Sequence, residues 1–262
     1  MTGCSAGPVT GSGERVVVAG VAIDPLTENQ VVQHVVRALA AGRGGHIVTP
    51  NVDICRQVAG SARLARLLAE AELVLADGMP LVWAARIQRR PLPERVTGAD
   101  LIWSLSKAAA RHGHPIYLLG GPPGIAEQAA GQLTALHPRL KVAGVDAPPY
   151  GFERSEEGLA RVREALVAVK PELVFVGLGF PKQEQVIANL RGDLPGAWFL
   201  GCGSAIAFAA GATARAPEWM QETGLEWLFR LGGEPGRLAR RYLLDDLPFA
   251  ARMLVRAALA RR

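Results

Sequence analysis

The chain has 262 residues, of which 49% are hydrophobic and 20% are charged. This composition excludes an intrinsically disordered protein and is sufficient for one large core, or for a main domain with an appendage. The net charge of +5 equals that of residues 230–262 alone, where eight arginines stand against three acidic residues. An anionic partner is therefore expected for this tail, and a general nucleic-acid-binding function is not.

The first 14 residues are small and polar, which predicts a disordered N-terminus, and no apolar segment typical of a signal peptide follows them. Short β-rich runs then alternate with longer patterns of helical period, such as residues 124–138 and 156–171. Several of the runs are apolar on both faces, so both faces need cover. The pattern predicts a Rossmann-like α/β fold, with a mostly parallel sheet and helices on both faces. The predicted strands are residues 15–23, 46–49, 72–76, 115–119, 140–145, 172–177 and 197–201.

No metal site is predicted. Cys4, Cys55 and Cys202 have no metal-binding spacing, and scattered thiols suit a reducing cytosol. No Asp-x-Asp pair ends a strand, so nothing offers a divalent cation the carboxylates it prefers. The charge of a leaving diphosphate would then be met by arginine, lysine or helix N-termini. No cofactor is expected.

In open parallel sheets, ligands bind at the carboxyl ends of the strands. The segments that follow the predicted strands are therefore expected to meet at one edge, and Asp77 belongs to them. A partly desolvated Asp77 has its pKa raised and could act as a general base. It could equally be a turn residue that hydrogen-bonds to nearby backbone.

Two other segments at this edge each have both a ligand-binding and a purely structural interpretation. Thr49 and Asn51 could hold a ligand, or they could cap the next helix. Gly120 and Gly121 open a Gly-Gly-Pro-Pro-Gly turn, which lets backbone N–H groups approach a phosphate, but a tight strand-to-helix turn needs glycines as well.

The segment GLGFPKQEQ places Lys182, Gln183 and Glu184 in a first helical turn that is expected to face the same edge. The amide could bind a sugar hydroxyl or a uracil edge, and the lysine a phosphate; the alternative is a solvated turn in which Glu184 complements the helix dipole. Arg95 could pair with a diphosphate through two hydrogen bonds, or it could be an ordinary surface arginine.

Residues 215–262 differ in composition from the rest and are predicted to form a basic, amphipathic helical appendage to an α/β domain at 15–214. Aromatic side chains at Trp219, Trp227 and Phe229 precede the arginines. Such helices suit an anionic membrane surface, although a helical layer packed on the domain with its arginines outside has the same pattern. The expected apolar side of the last helix consists of Phe249, Met253, Leu254 and Ala257.

Six segments in register resemble the WecG/TagA/CpsF family of bacterial glycosyltransferases, over about residues 46–243. They are TPNVDI, LADGMPLVWAAR, PLPERVTGADL, YLLGGPPGIAE, VGLGFPKQE and RAPEWMQETGLEWLFRL.

The resemblance implies a metal-independent, inverting transfer of a sugar from a UDP-sugar to an undecaprenyl-diphosphate-linked acceptor. Such transfer serves the synthesis of teichoic acid and other surface polysaccharides at the cytoplasmic face of the membrane. N-acetylmannosamine is a family-level expectation for the sugar. The expected partners are the donor, the lipid-linked acceptor and the anionic membrane surface, with a homo-oligomer left open and no nucleic acid.

The resemblance also implies roles for individual residues. Asp77 is implied as catalytic base, and Thr49, Asn51 and Gln183 as ligand-binding residues. The appendage is implied to dock on the membrane and to complete the active site. Its candidate arginines for the acceptor or the membrane are Arg215, Arg237, Arg240 and Arg241.

One departure from the family pattern concerns Ala207. Family members often have GGSFDFLAG where this chain has GSAIAFAAG, so an aspartate position is Ala207 and the specificity is open. Two other functions were considered. An NAD-dependent oxidoreductase needs a Gly-x-Gly-x-x-Gly turn after the first strand, and the chain has AIDPLTENQ there. A non-catalytic membrane scaffold of a polysaccharide complex is kept open by Ala207.

Overall fold

The computed structural model describes residues 14–233 and 235–260, without the side chain of Arg237. The predicted disordered segment therefore lies outside the described residues except for Glu14. The strands, in chain order, are β1 (Val16–Val18), β2 (Val21–Ile23), β3 (Gly45–Val48), β4 (Leu73–Val74), β5 (Ile116–Gly120), β6 (Val142–Asp146), β7 (Leu173–Gly177) and β8 (Trp198–Gly201).

Six strands form one sheet in the order β4-β3-β8-β7-β5-β6, and every pairing in it is parallel. This confirms the predicted α/β class. The prediction of one strand over residues 15–23 is wrong, because the chain reverses at Ala19 and Gly20, which both have positive φ. β1 and β2 consequently pair with each other as an antiparallel hairpin outside the large sheet.

Helices connect the strands and form the C-terminal part of the chain. They are α1 (Glu28–Ala40), α2 (Val52–Ala59), α3 (Ala62–Ala69), α4 (Met79–Ile87), α5 (Gly98–His112), α6 (Ile125–Leu136), α7 (Glu156–Val169), α8 (Lys182–Leu190), α9 (Ala205–Ala209), α10 (Glu218–Glu222), α11 (Glu226–Gly233), α12 (Pro235–Ala239) and α13 (Leu247–Leu259). A short 3₁₀ turn spans Phe152–Arg154, and a π-helical turn at Arg240–Asp246 leads into α13.

The sheet is covered on both faces because its central strands are apolar on both sides. In β7, Leu173 and Phe175 pack with α1, α5, α6 and α9, whereas Val174 and Val176 pack with α7 and α8. A third cluster joins the β1–β2 hairpin to α2, α3 and α4. Successive side chains of a strand point to opposite faces, so one apolar run serves two helical layers.

The last helix belongs to this packing. Met253 and Ala257 of α13 are buried in the cluster formed by α4 and the hairpin, and Phe249 and Leu254 pack against that cluster. Arg252 and Arg256 are exposed. The predicted apolar side is therefore correct, but it faces the domain and not a membrane. The division at residue 215 stays a prediction.

Candidate active site

A cleft of about 1130 Å³ lies at the carboxyl edge of the sheet. The segments after β3, β4, β5, β7 and β8 line one side of it, and α11, α12 and the π-helical turn line the other. The predicted convergence of loops is therefore observed for five segments. The sixth, residues 146–153, follows the edge strand β6 and contributes no lining residue.

Asp77 lies at the base of this cleft and also lines a smaller cavity of about 180 Å³ beneath α11. Its backbone N–H donates to the carbonyl of Pro50 at 3.0 Å, which fixes the main chain directly behind β4. Within residues 14–233 and 235–260, its carboxylate makes no hydrogen bond or ion pair. The side chain thus does not act as the turn residue of the alternative interpretation.

Burial in this position raises the pKa of Asp77 from 3.8 to about 7. The negative charge of Glu226 raises it further, whereas Arg230 and Arg95 lower it. A carboxyl group with a pKa near neutrality is suited to accept a proton and to release it at physiological pH.

Thr49 and Asn51 both line the cleft, directly after β3. The Asn51 side-chain oxygen accepts from the N–H of Ile54 at 3.0 Å and caps α2. The capping interpretation is therefore correct for that oxygen, and the position in the cleft keeps a ligand role open for both residues. Thr49 is buried at the cleft base, next to Gly98.

The two glycines after β5 differ. Gly121 lines the cleft, with a φ of 88° that favours glycine. Gly120 does not line it; a Cβ there would lie 2.8 Å from the carbonyl oxygen of Gly177. Gly120 therefore allows β5 and β7 to end side by side, which supports the tight-turn interpretation for this residue.

The first turn of α8 does not face the cleft as a unit. Gln183 lines the cleft, but its side-chain oxygen accepts from the N–H groups of Gly179 at 3.1 Å and Gly203 at 3.0 Å. Its amide nitrogen donates to Glu184 at 2.9 Å. Gln183 thus joins the loops after β7 and β8, a bridging function that sequence reasoning missed.

For the neighbours of Gln183, the expectation of a position at the edge is wrong. Glu184 is fully buried behind Gln183, because its place in the turn points it at β8; burial raises its pKa to about 7. Lys182 lies away from the cleft, 3.3 Å from Glu153 and over the exposed ring of Tyr150 at 4.0 Å. Neither side chain lines the cleft in this structure.

Arg95 is not an ordinary surface arginine. Its side chain is 14% exposed, lines the smaller cavity, and lies 3.5 Å from Glu226 and 3.7 Å from Asp100. Arg215 pairs with the other oxygen of Asp100 and approaches Thr97 at 3.5 Å. These contacts join the appendage to the start of α5.

Among its described side chains, the appendage places two arginines at the cleft, Arg230 and Arg241. Arg241 pairs with Asp246 at 3.3 Å and Asp53 at 3.7 Å. Arg230, which sequence reasoning did not single out, pairs with Glu226 at 2.5 Å and lies over the ring of Phe208 at 5.1 Å. Its i,i+4 spacing from Glu226 was the signal available in the sequence.

The other appendage arginines differ in position. Arg240 is exposed and does not line the cleft, and the side chain of Arg237 lies outside the described residues. Ala207, the position of the departure from the family pattern, lines the cleft next to Phe208. A change of side chain there is therefore in reach of a ligand.

The described part of the chain offers neither a cluster of metal ligands nor a membrane-spanning helix. No group of three or more His, Cys, Asp and Glu side chains is placed to hold a metal ion. No helix in residues 14–233 and 235–260 has both the length and the apolar character needed to span a bilayer. The predictions of a metal-independent reaction and of peripheral membrane attachment stay predictions.

The chain was compared with models of known protein families. The model of the glycosyl transferase WecG/TagA/CpsF family matches residues 16–262, which is nearly the whole chain. The match begins at β1 and includes the cleft, the smaller cavity and all helices of the appendage. The chain therefore belongs to the WecG/TagA/CpsF family of glycosyltransferases.

Proposed function

We propose that this glycosyltransferase moves a sugar from a UDP-sugar to a polyprenyl-diphosphate-linked acceptor with inversion at the anomeric carbon. One observation carries the proposal: an unpaired carboxylate with a pKa of about 7, Asp77, lies at the base of a cleft at the carboxyl edge of the sheet. A single displacement needs one base opposite the leaving group, and the cleft offers a candidate.

In the proposed reaction, Asp77 accepts the proton of the acceptor hydroxyl while that oxygen attacks the anomeric carbon. The bond from this carbon to the β-phosphate oxygen breaks, and its electron pair leaves with UDP. Thr49, Asn51 and the glycine loops would hold the donor, since glycines permit close approach of the backbone to a diphosphate.

Negative charge that develops on the leaving UDP would be met by Arg230 and Arg241. Each is paired with a carboxylate, but a guanidinium group has five N–H donors and retains others for a phosphate. Preorganised cations of this kind can stabilise a transition state strongly. The reaction would thus proceed with protein cations alone.

The test is a donor screen with purified protein and a short-chain lipid-diphosphate acceptor, scored by release of UDP. An N-acetylmannosamine donor is the first expectation. Asp77→Asn should abolish release, and Asp193→Asn should not, because Asp193 lies on the surface in an ion pair with Arg163. If no donor and acceptor pair released UDP, the scaffold function would be favoured.

We propose further that the appendage docks on the inner face of the membrane. Trp219, Leu228, Leu243, Leu244 and Leu247 are exposed there although they are large and apolar, and Arg240 is exposed beside them. Exposed apolar side chains next to cations suit an anionic lipid surface.

The docking surface is tested with vesicles of anionic and of zwitterionic lipid. A Leu243→Glu/Leu244→Glu variant should lose binding to anionic vesicles and keep its stabilisation by UDP, because neither side chain lines the cleft or the smaller cavity. The control is Leu136→Glu, since Leu136 is exposed to a similar degree on α6, outside the appendage. Equal vesicle binding by all three proteins would refute the proposal.

A further inference from the structure

The smaller cavity contains an acidic side chain whose function the reaction above does not assign. Glu226 begins α11 and is 18% exposed. One of its carboxylate oxygens lies 3.5 Å from Arg95, and the other accepts from Arg230 at 2.5 Å. Arg95 comes from the segment before α5 and Arg230 from α11 itself, so this carboxylate joins the domain to the appendage.

Asp77 lines the same cavity as these three side chains. It is the one member of the group without an ion pair among the described residues. Two guanidinium groups therefore line the same cavity as the unpaired Asp77 carboxylate, and both pair with Glu226 instead.

The surroundings of Asp77 contain further charges. α5 contributes Asp100, whose charge raises the pKa of Asp77, and Arg215 pairs with Asp100. α2 contributes Asp53, and the π-helical turn contributes Arg241 and Asp246, which pair with one another at the cavity. Among the described side chains, the charged groups that act on Asp77 or line its cavities are thus Asp53, Arg95, Asp100, Arg215, Glu226, Arg230, Arg241 and Asp246.

We infer that Glu226 is a positioning residue: it holds Arg95 and Arg230 at the cavity and prevents both from pairing with Asp77, which stays free to accept a proton. This inference rests on the proposed function, in which Asp77 is the base. Without Glu226, a carboxylate and two unopposed guanidinium groups would share one small cavity, and they would attract each other.

Because Glu226 is supplied by α11, the basicity of Asp77 depends on the position of the appendage. The same helix brings Arg230 to the cleft. Helix α11 would therefore supply both Arg230, which meets the charge of the leaving group, and Glu226, which keeps Arg230 from pairing with Asp77.

Glu226→Gln tests the inference, since the amide keeps the shape and removes the charge. An opposite charge at 4–6 Å lowers a carboxyl pKa by about 1 to 3 units. In Glu226→Gln we therefore expect the midpoint of the acid limb of the kcat/KM profile to lie about 1 unit lower in pH than in the wild type. Glu226→Asp keeps the charge and should keep the wild-type limb, even where its activity is lower.

A charge-matched control is Glu222→Gln, because Glu222 is exposed on the neighbouring α10. Its acid limb should stay at the wild-type position. If the acid limb of the kcat/KM profile had the same midpoint in Glu226→Gln as in Glu226→Asp, the charge of Glu226 would not affect Asp77. Glu226 would then be a structural residue only, and the inference would be overturned.

If Glu226→Gln had too little activity for a pH profile, a second measurement that needs no substrate would test the inference. The difference in Tm between a protein and its Asp77→Asn derivative, followed over pH, reports the pKa of Asp77 without a substrate. In the Glu226→Gln background this difference should level off at lower pH, and at a smaller value, than in the wild type, because its upper end is set by the pKa of the folded carboxyl. An unchanged pH dependence would overturn the inference, whereas full transferase activity of Asp77→Asn would overturn the proposed function instead.

Discussion

The two edges of the sheet differ in whether their charged side chains have partners. At the amino edge, Glu72 accepts from the N–H of His46 at 2.6 Å and pairs with Arg191. The ring of His114 pairs with Glu172 at the start of β7. His46 itself is buried and neutral, since burial lowers its pKa to about 3.

At the carboxyl edge, Asp77 is left without a partner among the described residues, while Arg95 and Arg230, which line the same cavity, pair with Glu226. At the amino edge, Glu72 and Glu172 each have a partner in an adjacent segment, and these contacts join the starts of neighbouring strands. The charged groups of the carboxyl edge surround a cleft and, within the described part of the chain, leave the Asp77 carboxylate without a hydrogen bond or ion pair, which is the arrangement expected where a ligand completes the site.

The largest expected effect is a loss of transferase activity when Asp77, at the carboxyl edge, is changed. Asp77→Asn should lower transferase activity by about 100- to 10,000-fold, the usual contribution of a general base. Stabilisation by UDP should remain, because the donor-binding loops are unchanged. Activity within tenfold of the wild type, measured by UDP release, would show that Asp77 is not the base.

A second change acts on the bridge between the loops at the carboxyl edge. A Cβ at Gly201 would lie 2.7 Å from the Gln183 amide nitrogen and 2.8 Å from a carboxylate oxygen of Glu184. Gly201→Ala should therefore lower the free energy of unfolding by about 1 to 3 kcal/mol and reduce activity as well. Denaturant unfolding and the transferase assay measure the two effects.

The matched control is Gly131→Ala on α6, where a Cβ meets nothing within 4 Å. It should raise the free energy of unfolding by about 0.5 to 1 kcal/mol and leave activity unchanged, since alanine favours a helix interior. If the Gly201→Ala protein were as stable and active as this control, the Gln183 and Glu184 side chains would have moved aside without loss of the contacts that join the two loops.

The third change is made at the amino edge. Glu72→Gln weakens the contacts to Arg191 and His46 and should cost about 1 to 3 kcal/mol, the range for hydrogen bonds with a charged partner. Activity per folded molecule should not change. A loss of activity at full stability would contradict the division of tasks between the edges.

A further expected effect is a pH dependence of stability. Burial raises the pKa of folded Asp77 from 3.8 to about 7, so the folded state binds more protons than the unfolded state between these values. This carboxyl therefore destabilises the fold progressively as the pH rises through that window. Asp77→Asn should gain Tm relative to the wild type from pH 4 to pH 8, and no such gain would argue that Asp77 is solvated.

Much of the fold was predictable from local pattern. The six strands of the sheet were found within a few residues, because apolar runs between turn residues are a property of neighbouring positions. The hairpin at β1 and β2 was not, since Ala19 adopts a positive φ that its residue type does not announce. Within the site, the positions of Thr49, Asn51, Asp77, Gly121 and Gln183 followed from one rule, that loops after parallel strands share an edge.

The amino-acid sequence by itself determined which side chains follow the strands, and thereby that an aspartate stands at the carboxyl edge. Only the tertiary structure decided which of them remain free. Glu184 is buried against β8, Lys182 turns to Glu153, and the apolar side of α13 closes the core. Arg95 meets Glu226 across 131 positions of the chain. Local pattern follows from the period of helix and strand, whereas a partner so distant in the chain is set by how the layers pack.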